Sequence, residues 1–518
     1  MLARAHAFTI DGFHTHHVTV EVDVRPGLPA FVIVGLADTA VREARERIGA
    51  AIRNSGYEFP ARRITANLAP ADVPKAGPGL DLALACAVLA ASGQLPGRRL
   101  GEVALAGELG LDGSLRPARG TLAVAEAARR AGLRTLALAP ERFHEASLVG
   151  GLDVAPVRCL RSAVRVLGGG LPDSTVLSPA SRGGRRRAPG AVGLDLGDVR
   201  GQVLAVRALL IAAAGGHNLL LSGPPGTGKT MLAQRLPSIL PPLERTEAIE
   251  VTRIHSLLGG EVPGLIEERP FRAPHHTVTA AGLLGGARAG SVGEVVLAHN
   301  GVLFLDELSE FSRPVLEALR QPLEDGRIAI ARAHHSAVYP ARFMLLAATN
   351  PCPCGFAGED ERCRCSEADL ARHRRRLSGP LLDRIDLLVN LQRLARDRSE
   401  APRAMSSGRA RALVVEARRR QAARLRDDGI ALNADMDART LALRVQLELR
   451  AERMLHSACE VGLLSARGEH RTLRVARTIA DLDHSELVGA SHMGAALALR
   501  PDFTQVAGAA TVHGGVLG

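Results

Sequence analysis

Gly223-Pro-Pro-Gly-Thr-Gly-Lys-Thr230 is the stretch on which the fold turns. It follows an apolar run, Asn218-Leu-Leu-Leu-Ser222, and leads into Met231-Leu-Ala-Gln-Arg-Leu236, so a buried strand is joined through it to the start of a helix. In that context Gly223, Pro224, Pro225, Gly226, Thr227 and Gly228 form a cradle whose N–H groups, all from residues other than the two prolines, face a phosphate chain with the helix N-terminus behind them. Lys229 offers a compact ammonium to the β- and γ-phosphate oxygens, and Thr230 a hydroxyl to Mg²⁺. The chain has 65 lysines and arginines, and lysine stands only at positions 75 and 229. A planar guanidinium could not do the work of Lys229.

Two further apolar runs end in residues suited to the same chemistry. Gly301-Val-Leu-Phe-Leu-Asp-Glu307 delivers two adjacent carboxylates, Asp306 to hold Mg²⁺ through water and Glu307 to polarise an attacking water. Arg342-Phe-Met-Leu-Leu-Ala-Ala-Thr-Asn350 ends in an amide able to orient that water. Open α/β sheets bind ligands at the carboxyl ends of their strands, so three such endings are expected to meet in one crevice.

Length and composition frame the rest. A chain of 518 residues holds two or three domains, and 46% apolar with 23% charged residues excludes wholesale disorder. The longest uninterrupted apolar stretch, residues 82–91, is about half of what crosses a bilayer. Met1-Leu-Ala-Arg-Ala-His6 lacks an apolar core of signal-peptide length, so a cytoplasmic protein without a membrane role is expected. Seven cysteines, unevenly spaced, do not make a disulfide framework. The net charge of +11 is compatible with a polyanionic partner, and equally with a basic background spread over the surface.

Gly, Pro, Ser and like charges between 168 and 193 cannot bury a face, which predicts a flexible basic linker. Before it, residues 1–167 mix an alternating strand (Val18, Val20, Val22, Val24) with Ala-rich helices at 41–52, 80–91 and 122–131. After it come an α/β nucleotide-binding core, 194–395, a mostly helical region, 396–506, and a tail, 507–518. Residues 326–340 read as two alternating strands around a turn.

This order of motifs resembles an AAA+ ATPase, with Walker A at 223–230, Walker B at 302–307 and a sensor asparagine at 350. Asp198-Val-Arg-Gly-Gln202, Phe271-Arg-Ala-Pro-His-His-Thr277, Leu297-Ala-His-Asn-Gly301 and Leu377-Ser-Gly-Pro-Leu-Leu-Asp-Arg-Ile-Asp-Leu387 narrow it further, as does Gly35-Leu-Ala-Asp-Thr-Ala-Val-Arg-Glu-Ala-Arg-Glu-Arg47. The chain resembles the ComM/YifB family of magnesium-chelatase-like ATPases. The resemblance implies an AAA+ P-loop NTPase with a parallel sheet and a helical lid, ATP and Mg²⁺ as ligands, a ring, hexameric by expectation, and DNA, single-stranded or branched, as the partner of a motor active in branch migration. A protein-remodelling ATPase of the chelatase or chaperone type is the alternative.

By the same resemblance Arg384 is an arginine finger reaching the γ-phosphate of a neighbouring subunit; a surface arginine paired with Asp383 or Asp386 is the plainer alternative. Arg467, Arg471 and Arg474 share one helix face, and Arg474 is the expected sensor 2 residue, with the other two as alternatives. The 326–340 hairpin corresponds to one that points into the pore of related rings, which makes Arg332, His334 and His335 candidates for gripping a nucleic-acid backbone, unless it is an ordinary exposed tip.

Residues 1–167 resemble, through Pro74-Lys-Ala-Gly-Pro-Gly79 and Leu105-Ala-Gly-Glu-Leu-Gly110, the α+β proteolytic domain of Lon-type proteases. Gly79 stands at the nucleophilic serine's place and the catalytic lysine's place falls near Leu122, so no acyl-enzyme can form and a non-proteolytic domain is expected. Cys352-Pro-Cys354 and Cys363-Arg-Cys365 place four thiols in one loop after the sensor strand. They could bind a structural Zn²⁺, remain unligated, or carry redox chemistry.

Overall fold

The computed structural model describes the chain except residues 37–38, 76, 175–192, 259–261, 263, 287–291, 332–335, 358–361, 377–378, 394–401 and 501–518. Most of the linker, the hairpin tip with Arg332, His334 and His335, and the tail therefore lie outside the described residues.

The first 167 residues form an α+β unit. Its mixed sheet takes β1 (Leu2–Asp11), β2 (His14–Arg25), β3 (Ala30–Val34), β4 (Arg63–Ala69), β5 (Val103–Leu105), β8 (Thr135–Leu138) and β9 (Asp153–Pro156), in the order β3-β4-β2-β1-β5-β8-β9. A short hairpin, β6 (Glu108–Leu109) and β7 (Leu115–Arg116), stands beside it. Val18, Val20, Val22 and Val24 all point into one core, as period-two alternation requires. That core is covered by the helix Asp81–Ala91, every residue of which is buried. Residues 168–174 stay with this unit: Asp173 accepts from the Arg158 N–H at 2.7 Å and pairs with Arg165 at 2.5 Å.

The second sheet is wholly parallel. It orders β10 (Leu219–Ser222), β11 (Phe271–Arg272), β12 (Gly301–Leu305), β15 (Phe343–Thr349) and β16 (Leu387–Asn390) as β11-β12-β15-β10-β16. Burial on both faces explains the unbroken apolar runs. Leu219, Leu221, Phe304, Leu346 and Val389 face one core, while Leu220, Leu303, Leu345 and Leu388 face the other. The antiparallel hairpin of β13 (Arg327–Ala331) and β14 (Ser336–Pro340) packs on the second of these.

The helices after residue 406 pack on the first face of this sheet rather than standing apart. Ala410, Val414 and Ala417 of Ser407–Leu425 and Val475, Ala476 and Ile479 of Ala466–Leu482 share one core with the sheet. Asp195 ties the start of this unit to that helix by accepting from the Ser407 N–H at 3.2 Å.

The amino-terminal unit is seated on the ATPase-like unit. Arg253, on the helix Arg245–Leu257, lies 4.1 Å over the Phe13 ring and pairs with Glu126 at 3.5 Å. The β1–β2 turn presses against the hairpin: a Cβ on Gly12 (φ +60°) would stand 2.5 Å from the Ala337 Cβ, so only glycine fits there.

Candidate functional site

Strand register brings the expected nucleotide site together. Ser222 is level with Thr349 and Leu305 with Ala347, so the residues following β10, β12 and β15 meet at one edge of the sheet. The loop after β10 turns with Gly226 at φ +79° and Gly228 at φ +91°, conformations open to glycine, and the helix Lys229–Ile239 begins at once. Thr227 steadies the loop by donating to the Pro224 carbonyl at 2.9 Å.

The Lys229 ammonium donates to the carbonyls of Gly223 (2.6 Å) and Pro224 (3.1 Å) and to Oδ1 of Asn350 (3.0 Å). Burial lowers its pKa from the ordinary value, with Asp306 and Glu307 opposing. The Thr230 hydroxyl donates to Oδ2 of Asp306 at 2.6 Å. A hydroxyl and a carboxylate converging so closely, with the glycine-rich loop beside them, fit the water shell and ligand needs of Mg²⁺. Glu307 takes a left-handed backbone, φ +53°, and its carboxylate lies 3.6 Å from Nδ1 of His276. The Asn350 carbonyl accepts from Nε2 of His373 at 3.0 Å.

Arg384, Arg467, Arg471 and Arg474 occupy the other end of the sheet. They line a cavity of about 810 Å³ with Asn218, Gly301, Phe343 and Asp386, which stand at or just before the amino ends of β10, β12, β15 and β16. Arg384 pairs with Glu324, and its pKa is lowered by burial and then by Arg467, Arg320 and Arg471. Arg471 donates to the Ile385 carbonyl at 2.9 Å, whereas the buried Nε of Arg474 finds no partner among the described residues. These arginines face away from the glycine-rich loop of their own chain, and the cavity they line also carries the carboxylates of Glu324, Asp383 and Asp386.

The four cysteines close into a cluster. Their Sγ atoms all lie within 4.8 Å of one another, with Cys352–Cys354 at 3.3 Å, Cys352–Cys363 at 3.9 Å and Cys354–Cys363 at 3.7 Å. An ion held tetrahedrally at about 2.3 Å by four sulfurs keeps them about 3.8 Å apart, so the donor set suits Zn²⁺.

In the amino-terminal unit Gly79 lies on the turn Pro78–Leu80 ahead of the buried helix, and Leu122 is fully buried. Lys75 is also fully buried, its ammonium donating to the Pro70 carbonyl.

His276, His373 and Gln202, whose amide donates to the Gln392 carbonyl at 2.8 Å, had no role assigned from sequence. His276 and Gln202 do lie in two of the long strings that marked the family.

This fold and this strand-edge site define a P-loop protein of the AAA+ ATPase type, with the magnesium-chelatase arrangement of core and helical unit. The family model "Magnesium chelatase, subunit ChlI" matches residues 195–399, "Subunit ChlI of Mg-chelatase" residues 20–142, and the ChlI C-terminal model residues 404–500. An uncharacterized protein of Mycobacterium tuberculosis is 44% identical over 96% of this chain and 98% of its own. The YifB protein of Escherichia coli is 41% identical over 96% and 97%, and the competence protein ComM of Haemophilus influenzae 42% over 93% and 94%. A 67 kDa magnesium-chelatase subunit of Heliobacterium mobile is 28% identical over 32% of this chain and 29% of its own. The chain belongs to the ComM/YifB family of magnesium-chelatase-like proteins. No helix among the described residues is long and apolar enough to cross a membrane.

Proposed function

We propose that this chain is an ATP-hydrolysing motor that works as a ring, a hexamer by expectation, on single-stranded or branched DNA. One observation carries the ATPase reading: Lys229, Thr230, Asp306, Glu307 and Asn350 converge at a single sheet edge behind a phosphate-binding loop. Lys229 and the loop would hold the triphosphate, Thr230 and Asp306 the Mg²⁺, which offsets phosphate charge, and Glu307 would activate water that Asn350 orients. Arg384, with Arg474 as sensor 2 beside it, would complete the site of the next subunit, since both lie at the opposite edge from their own loop. The cysteine cluster would hold a structural Zn²⁺.

The DNA reading is supported by the full-length likeness to a competence protein and by the net charge of +11. The protein-remodelling alternative draws on the magnesium-chelatase family models. The amino-terminal domain does not separate the two readings, because one of those models matches residues 20–142 of it. The test is ATP turnover with and without forked or single-stranded DNA over a salt series. Stimulation that falls steeply with salt supports phosphate contacts. A rate indifferent to DNA at every salt concentration overturns the DNA motor and favours the remodelling ATPase.

A further inference from the structure

The cysteine cluster touches the nucleotide site. Gly355, in the turn after Cys354, packs so closely on the loop that a Cβ there would stand 2.6 Å from Cδ of Pro225. Arg393 spans the same contact, lying 5.0 Å from the Phe356 ring and donating to the Pro225 carbonyl at 3.4 Å. Asn350 is two residues ahead of Cys352. Its carbonyl is held by His373, on the helix Glu367–Arg376, which begins two residues after Cys365 and whose Leu370 packs against Cys352. The sensor asparagine thus stands two residues ahead of the first cysteine pair, with its carbonyl held by the helix that follows the second. The Cys352 sulfur also accepts from the Ala357 N–H at 3.2 Å, an outer contact that suits a metal-bound thiolate.

We propose that a thiophilic divalent cation of the zinc class, bound by Cys352, Cys354, Cys363 and Cys365, is a positioning element for ATP hydrolysis. It fixes Asn350 against the nucleotide and does more than staple a loop. The proposal rests on the ATPase reading above. Its consequence is a split between binding and turnover. Lys229 and the loop backbone capture the nucleotide without the cation, while the water-orienting amide of Asn350 loses its place when the cation leaves.

The test uses the full-length protein and four readouts: metal content by mass spectrometry, cobalt-exchange absorption spectra, binding of a fluorescent ATP analogue, and turnover. The expected wild type carries about one zinc per chain, and its cobalt form shows thiolate-to-metal charge-transfer bands of a tetrahedral site. Chelation, or the double substitution Cys363→Ser with Cys365→Ser, is expected to leave analogue affinity within about threefold and to lower kcat at least about tenfold. Zinc re-addition restores the chelated wild type and not the double variant. His373→Ala is expected to keep its zinc and still lose kcat, an effect a mere loop staple would not produce. Protein isolated from zinc-containing medium with reduced thiols and no bound metal overturns the site. Unchanged turnover after complete metal removal, in protein that hydrolyses ATP beforehand, overturns the coupling while leaving the ATPase reading intact. Loss of analogue binding and turnover together also overturns the positioning role. Absence of turnover in the untreated, zinc-loaded protein overturns the ATPase reading and this inference with it.

Discussion

The Lys229 Nζ lies 3.0 Å from Oδ1 of Asn350, so the cation of the phosphate loop and the amide at the end of a neighbouring strand meet at one point. A γ-phosphate bound there would meet both. The two residues are expected to fail in different ways. Lys229→Ala should weaken ATP binding by about 100-fold or more, a loss consistent with several charge-assisted bonds. Asn350→Ala should leave binding near the wild-type level and lower kcat by about 100-fold, the usual cost of one preorganised polar contact in a transition state. Analogue titration beside steady-state kinetics separates them.

Glu307 sits in a left-handed backbone conformation beside His276. Glu307→Gln keeps the shape of the side chain and removes its basicity. It should bind ATP and lower kcat by about 100-fold to 10,000-fold, the range that general-base catalysis supplies. Measured affinity and single-turnover rates check both halves.

Asp81 gives a pH prediction remote from the nucleotide. Burial pushes its pKa up to about 6, opposed by the bidentate Arg47 at 2.9 and 3.2 Å. Between the unfolded value of 3.8 and about 6 the folded protein therefore keeps a proton that the unfolded chain releases. The stability this contributes is complete below the unfolded pKa and is lost as pH rises through about 6. Wild type should lose about 1 kcal/mol more than Asp81→Asn between pH 5 and pH 7. Chemical denaturation at the two pH values measures the difference.

Docking of the amino-terminal unit gives a fourth. Arg253→Ala removes both the cation–π contact with Phe13 and the ion pair with Glu126. Together these are worth about 1–2 kcal/mol. The variant should be cut more readily by protease between the two units while its isolated nucleotide affinity stays unchanged.

The candidate nucleotide edge was legible in the sequence because the glycine-rich loop, the Asp306–Glu307 pair and Asn350 each follow an unbroken apolar strand, and both faces of a parallel sheet must be covered. Asp306, Glu307 and Asn350 needed only the register of three strands to meet. The cysteines were legible for a related reason: ligands close in sequence cannot be far apart in space. The arginine cavity was not. Arg384 and Arg474 are 90 positions apart, and they come together only because the carboxy-terminal helices fold across the amino ends of the strands. Nothing in periodicity announces which face of a sheet a distant helix will cover. The seat of the amino-terminal unit was hidden likewise, since nothing near Gly12 and Phe13 in the sequence marks them as the partners of Ala337 and Arg253.

We propose that each ATP site is finished by an arginine from the adjoining subunit. Turnover by mixtures of Arg384→Ala with Glu307→Gln is the test. Each variant alone should be inactive, because every interface lacks either the arginine or the base. In an equimolar mixed ring about a quarter of the interfaces pair an intact Glu307 with an intact Arg384 from next door, so activity should reappear at roughly that fraction of wild type. Mixed rings that stay as inactive as their parents would contradict the claim.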